Sequence, residues 1–95
     1  MKNIQIFQTN LFKKQKKKLK KNQIQDLDKA IKSLVKNPKL GQQKKGDLTT
    51  IWVYKFSMVN QKYLLAYQWD QKTRTLIAID LHENFYRDLN KSLKF

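Results

Sequence analysis

A two-residue alternation of aromatic side chains runs through Thr49–Phe56 and Lys62–Asp70, and an Ile- and Leu-rich run follows over Thr75–Leu81. Over Thr49–Phe56, Trp52, Tyr54 and Phe56 alternate with Ile51, Val53 and Lys55. After a turn near Asn60, Lys62–Asp70 sets Tyr63, Leu65, Tyr67 and Trp69 against Leu64, Ala66 and Gln68. A second turn over Asp70–Arg74 leads into Thr75–Leu81. Side chains of a strand alternate between faces, so this pattern predicts three strands. Their connections are too short for crossovers, so the strands form an antiparallel meander. The aromatic rows are expected to fill the core.

The first half of the chain has a different period. Lys2–Phe7 alternates briefly, with Ile4 and Ile6 on one side, and reads as a first strand. Thr9 or Asn10 can cap a helix whose stripe is Leu11, Phe12, Gln15 and Leu19. Lysines cover the rest of it. Asn22, with Gln25 three residues on, suits the start of a second helix. There Ile24, Leu27, Ile31, Leu34 and Val35 form the clearest amphipathic stripe in the chain. Asn37–Pro38 ends it, and a very short link predicts an antiparallel helix hairpin. Pro38–Asp47 is expected to be a loop, and Phe85–Lys94 a terminal helix with Leu89 and Leu93 turned inward. The expected fold is α+β in the order β-α-α-β-β-β-α, a helix hairpin on a mainly antiparallel four-stranded sheet. Residues 1–95 hold one such domain and no second core.

Charge is the strongest guide to partners. The chain carries 21 basic and 7 acidic residues, a net +14. Residues 1–45 hold 14 bases and 2 acids, and residues 46–95 hold 7 and 5. A field of this sign favours polyanions and acidic proteins. No cysteine is present, which removes disulfides, thiolate nucleophiles and cysteine metal sites. With one histidine and seven scattered acids, no zinc site or multi-carboxylate magnesium site is expected. No cofactor is expected either, since there is no glycine-rich phosphate loop. Met1–Phe7 lacks the apolar run of a signal peptide, and no segment approaches the ~20 apolar residues of a membrane span. The expected location is the cytoplasm.

Two residue groups could carry chemistry. His82, Glu83, Asn84, Phe85, Tyr86 and Arg87 bring an imidazole, a carboxylate, a phenol and a guanidinium together at the end of the last strand. RNA cleavage by side chains needs such a set: a base for the ribose 2′-OH, an acid for the leaving 5′-oxygen, and cations for the charged phosphorane. The same residues also suit a structural role, with Tyr86 in the core and Arg87 paired with Asp88 or Glu83. The second group is Lys44, Lys45 and Lys55. Lys55 lies on the strand face opposite Trp52, Tyr54 and Phe56, and with the two loop lysines it could hold RNA phosphates. Ordinary solvated lysines would look the same.

Five segments together resemble the RelE/ParE superfamily of type II toxin–antitoxin toxins over nearly the whole chain. They are Phe12 with the lysine-rich Lys13–Lys21, Leu27-Asp28-Lys29-Ala30-Ile31 before Asn37-Pro38, Lys45-Gly46-Asp47-Leu48 before Tyr54-Lys55-Phe56, Tyr63-Leu64-Leu65-Ala66-Tyr67, and His82 through Leu89. The resemblance implies a small toxin that an acidic antitoxin wraps, touching DNA only through that antitoxin. It implies either ribosome-dependent mRNA cleavage, as in RelE-type members, or inhibition of DNA gyrase by binding, as in ParE-type members. A degenerate toxin that only binds its antitoxin is a third outcome. RelE-like members carry RNA-binding basic residues where this chain has Lys45 and Lys55. Related RNases place His or Tyr in the region of His82 and Tyr86. Where RelE has a phosphate-binding arginine in its "YRLxY" strand, this chain has Leu64; Arg74 or Arg87 are the candidates to replace it. The first expectation is therefore an mRNA interferase with His82, Tyr86, Arg87 and Glu83 at its catalytic centre. Lys44, Lys45, Lys55 and Arg74 would then bind RNA, and Lys13, Lys17 and Lys20 would meet the antitoxin.

Overall fold

The computed structural model describes residues 3–44 and 50–82. The expected terminal helix, and with it Glu83, Tyr86 and Arg87, lies outside the described residues, as does Lys45. Strand β1 (Gln5–Gln8) leads to helices α1 (Asn10–Lys17) and α2 (Lys21–Lys36), then to strands β2 (Gln42–Gln43), β3 (Trp52–Met58), β4 (Gln61–Trp69) and β5 (Thr73–Leu81). One sheet contains all five strands in the order β1-β5-β4-β3-β2. β1 runs parallel to β5, and the other pairs are antiparallel. The meander and the α+β class are as expected. The fifth strand, β2, is new. Its two exposed glutamines carry no hydrophobic alternation, so only its ladder to Trp52 and Val53 defines it.

Both helices cover one face of the sheet. Phe12 from α1 and Leu27 and Leu34 from α2 are buried with Met58, Tyr63, Leu65, Tyr67, Leu76 and Ile79 in one cluster. Each such side chain contributes roughly 1.5–3 kcal/mol on leaving water. Tyr63 and Tyr67 take the interior positions expected of the aromatic rows. Trp52, Tyr54, Phe56 and Trp69 are only half-buried and form the margin of the core. Trp52, Tyr54 and Phe56 lie on β3, whose outer neighbour is only the two-residue edge strand β2, and Trp69 is the last residue of β4. They pack on one another instead: Trp52 meets Trp69 edge to face at 5.6 Å, and Tyr54 stacks on Phe56 at 5.8 Å. The opposite face has its own buried cluster of Ile51, Val53, Leu64, Ala66, Ile77 and Ala78.

The helix starts show what sequence pattern can and cannot locate. Thr9 caps α1: its Oγ1 accepts from the Phe12 amide at 3.1 Å and donates to the Ile77 carbonyl at 2.6 Å. α2 begins at Lys21, with Lys20 as its N-cap two residues before the expected Asn22. Gln23, not Gln25, reaches back, its Oε1 accepting from the Lys20 amide at 2.8 Å. A lysine has no acceptor with which to complete a capping box, so sequence alone points to the asparagine instead.

Two side chains on and beside α1 take over where β1 stops. β1 pairs with β5 only as far as Leu76. Beyond that point Thr9 holds the Ile77 carbonyl, and Gln15 Oε1 accepts the Ile79 amide at 2.7 Å. Ile77 is the extra residue where the β4–β5 register shifts: Ala66 opposes Ala78, and Tyr67 opposes Leu76. The outer half of β5, which ends beside His82, is thereby fixed by helix-side contacts.

The β3–β4 turn is tight. Val59 and Asn60 have φ of 48° and 65°, the left-handed pair that a two-residue hairpin requires. Asn tolerates this well and Val does not. Asp26 of α2 braces the turn by accepting the Val59 amide at 2.9 Å.

Candidate functional site

The site lies on the sheet face away from the helices. Lys55 opposes Leu64 across β3–β4, and Leu64 opposes Asp80 across β4–β5, giving a row Lys55–Leu64–Asp80. His82 follows Asp80 by two residues. A cleft of about 370 Å³ opens here, lined by Leu40, Gly41, Gln42, Lys44, Val53, Tyr54, Lys55, Leu64 and His82. A second depression of about 280 Å³, lined by Gln61, Lys62, Leu81 and His82, adjoins it. The exposed His82 thus stands between two hollows and is open to a bound molecule from either.

The structure therefore brings together three of the sequence-predicted residues, His82, Lys44 and Lys55, although they come from the residue after β5, the segment after β2, and β3. Lys55 is exposed and Lys44 half-buried. Glu83, Tyr86, Arg87 and Lys45 lie outside the described residues. Lys13, Lys17 and Lys20 are exposed on α1 and the link to α2, on the other side of the sheet. One residue at the site was missed in the sequence: Lys62 lies opposite Ser57 and lines the second depression. The signal was the two-residue alternation itself, which puts Lys62 on one face with Leu64.

Arg74 is a correction. It is 95% buried, on the helix side of the sheet. Its Nη1 donates to the carbonyls of Asp70 at 2.6 Å and Thr73 at 2.8 Å, its Nη2 to Val35 at 3.0 Å, and its Nε to Leu34 at 3.3 Å. It binds the last turn of α2 and the β4–β5 turn together, with its guanidinium 5.9 Å from the Trp69 ring centre. Such a side chain cannot reach RNA, nor replace the arginine absent at Leu64. Asp70 tightens the same turn: its Oδ1 accepts the amides of Lys72 and Thr73, both at 2.8 Å, and these bonds hold its carboxyl below the usual range.

The wall of the cleft is set by Tyr67. Its hydroxyl donates to the Pro38 carbonyl at 2.8 Å and accepts from the Gly41 amide at 3.0 Å. A Cβ at Gly41 would stand 2.6 Å from that oxygen and 2.7 Å from the Val53 carbonyl, so only glycine lets the chain pass. The tyrosine pins Pro38–Gly41 and thereby directs Gln42–Lys44 along the cleft. Burial pushes the Tyr67 phenol above the ordinary tyrosine pKa. A group whose pKa is raised on folding gives stability that is complete below the unfolded value, about 10, and is lost as pH rises through the folded value. Tyr67→Phe should therefore cost about 1–2 kcal/mol at neutral pH through the two lost bonds. Its deficit against wild type should shrink above about pH 10. Urea denaturation at both pH values measures this; an unchanged deficit would refute it.

No helix among the described residues is long and apolar enough to cross a membrane. No curated protein matches the chain. Solved structures that share its fold include the following two. A YoeB/ParE toxin from Agrobacterium tumefaciens aligns at a TM-score of 0.62 with 13% identity, over 83% of this chain and 99% of that one. A conserved hypothetical protein from Helicobacter pylori, known from its solution structure, aligns at 0.52 with 16% identity, over 84% and 96%. Residues 6–90 match the family described as ParE-like toxin of type II bacterial toxin-antitoxin system. The match spans the sheet, both helices and the cleft residues, and the chain belongs to the ParE-like toxins of type II toxin–antitoxin systems.

Proposed function

We propose that this toxin is a ribosome-dependent mRNA endonuclease that uses side-chain acid–base chemistry to stop translation in the cytoplasm. The observation that supports it is the meeting of His82 with Lys44 and Lys55 in one cleft. A base removes the ribose 2′-OH proton, the 2′-oxygen bonds to phosphorus, and the bond from phosphorus to the 5′-oxygen breaks as an acid protonates the leaving group. The products are a 2′,3′-cyclic phosphate and a 5′-hydroxyl. His82 can serve as base or acid near neutral pH. The complementary role falls to Tyr86 or Glu83, with Arg87 beside them, all within five residues of His82 in the sequence. Lys44, Lys45 and Lys55 hold the scissile and flanking phosphates, where charge grows in the transition state. The ribosome presents the message as an extended strand, and the antitoxin of the module keeps the toxin silent.

Primer extension after induction of the toxin alone tests the proposal. Cuts inside ribosome-protected codons are expected. Intact mRNA with an SOS response and gyrase-dependent DNA breaks would replace it with gyrase inhibition by binding. One observation favours that second reading: Leu64, not a cation, occupies the middle of the Lys55–Asp80 row.

Lys55→Ala should weaken RNA binding while leaving the fold intact, because Lys55 is exposed. The slope of log affinity against log salt should fall by about 0.7 for a single strand, the share of one phosphate contact. An unchanged slope removes Lys55 from the RNA path.

A further inference from the structure

The two edges of the sheet differ. β2 is two residues long, and Lys44 follows it directly. β1 is twice as long, and all four of its residues, Gln5-Ile6-Phe7-Gln8, are exposed. Ile6 is 45% and Phe7 50% exposed, and Phe7 is the most exposed of the large hydrophobic residues described. Among the described residues no strand pairs with the outer side of β1. An open edge is a template for another strand, and proteins commonly guard it with charge, above all with lysine. This chain has a net charge of +14, yet Asn3–Phe12 holds no charged residue and is its longest uncharged run. The lysines that could guard the edge are all placed elsewhere.

Backbone direction restricts how a strand can add to it. The amides of Gln5 and Thr9 donate to the carbonyls of Lys72 and Leu76, at 2.9 and 3.0 Å. Residues 5, 7 and 9 therefore turn their backbone groups toward β5, and Ile6 and Gln8 turn theirs outward. A second β1 laid antiparallel can bond only outward groups to outward groups. The register that uses both sets Ile6 against the partner's Gln8, and Gln8 against the partner's Ile6, each pair exchanging both N–H···O bonds. Phe7 then faces the partner's Phe7 across the two-fold axis. Theirs is a non-hydrogen-bonded pair with Cα atoms roughly 4.5 Å apart, and aromatic rings so placed stabilise a sheet. Charge selects this occupant over others. An acidic partner is drawn to lysines, and β1 offers it none. A second copy is repelled by the lysine-rich helices and meets no like charge on this strand.

We infer that β1 is a self-association edge, through which two copies of the chain pair antiparallel about a two-fold axis at Phe7. Phe7 opposes Thr75, and Thr75 opposes Gln68, on the sheet face that carries Leu64. A two-fold axis normal to the sheet keeps that face on one side in both copies. The pair is one continuous sheet, with both clefts opening on the same side. A four-residue edge buries less than the roughly 1,600 Å² of a standard interface, so the pairing depends on concentration. The lysine-rich α1 follows β1 directly and approaches its symmetry mate, so salt strengthens the pairing by screening that repulsion.

The test uses the whole toxin in sedimentation equilibrium over a range of concentration and salt. The mass should rise from 11.5 kDa toward twice that value as concentration increases, and should rise further at higher salt. Phe7→Lys sets like charges face to face on the axis and should weaken association by roughly tenfold or more. The chain has no cysteine, so single-cysteine variants read the register independently, even where Phe7→Lys does not fold. Under mild oxidation Phe7→Cys should crosslink to itself, across a spacing that a disulfide spans. Ile6→Cys should crosslink faster with Gln8→Cys than with itself. Leu40→Cys, exposed near the opposite edge, should lag behind Phe7→Cys. A chain that is monomeric at every concentration overturns the inference. So does association that survives in folded Phe7→Lys, or that weakens as salt rises. Phe7→Cys that crosslinks no faster than Leu40→Cys overturns it too. A monomeric chain whose affinity for its antitoxin falls in Phe7→Lys gives the edge to that partner and equally overturns it.

Discussion

His82→Ala is expected to lower mRNA cleavage by about 10²–10⁴-fold, the usual contribution of a well-placed acid or base. Its melting temperature should stay within a few degrees of wild type, because His82 is exposed and gives no buried contact to the core. Stability and chemistry should separate cleanly at this residue. Tyr86→Phe, which keeps the ring and removes the hydroxyl, is the companion variant. If Tyr86 is the partner acid or base, it should fall by a similar factor. Single-turnover cleavage on programmed ribosomes, with a thermal melt of each variant, makes the comparison. A folded His82→Ala protein that cleaves like wild type would strip the C-terminal cluster of its catalytic role. A toxin that arrests growth equally well with and without His82 would point to binding alone, and so to gyrase.

The site was legible in the sequence in proportion to how regular its strands are. Lys55 could be placed on the face away from the helices by alternation alone, since each strand residue turns to the side opposite its neighbour. His82 could be placed at a strand end for the same reason. That the two share a cleft with Lys44 could not be read. It depends on the register Lys55–Leu64–Asp80 and on the turn of chain that Tyr67 pins through Pro38 and Gly41. Neither contact leaves a periodic trace. The strand β2 escaped for a similar reason, being two exposed glutamines joined to the sheet by backbone alone. The start of α2 was misplaced because its N-cap is a lysine, the wrong chemistry for a cap. The half-burial of Trp52 and Tyr54 reflects the short edge strand beside β3, which alternation does not report.

Arg74 was the largest misreading, and it yields the largest expected loss of stability. Sequence shows an arginine at the start of a strand near a turn, where a solvated cation is the ordinary expectation. The fold instead runs the C-terminal turn of α2 against the β4–β5 turn and leaves four carbonyl groups pointing into the gap, those of Leu34, Val35, Asp70 and Thr73. Only a planar fork with several donors can bridge them at once. The charge is also favourable there, because the C-terminal end of a helix attracts cations. Arg74→Ala leaves those carbonyls without their donor and opens a cavity under Trp69. The expected cost is about 3–5 kcal/mol. For a domain of this length that lowers the melting temperature by roughly 15 °C or more. Arg74→Met, which fills the space but donates nothing, separates packing from hydrogen bonding and should recover only part of the loss. Arg74→Lys should recover little more, since one ammonium group cannot span both turns. Toxicity would disappear in all three through loss of folded protein. In the fraction that stays folded at low temperature, the affinity for RNA should match wild type. A melting temperature for Arg74→Ala within about 3 °C of wild type, which at this chain length means under 1 kcal/mol, would show that the fork is not what joins the helix to the sheet.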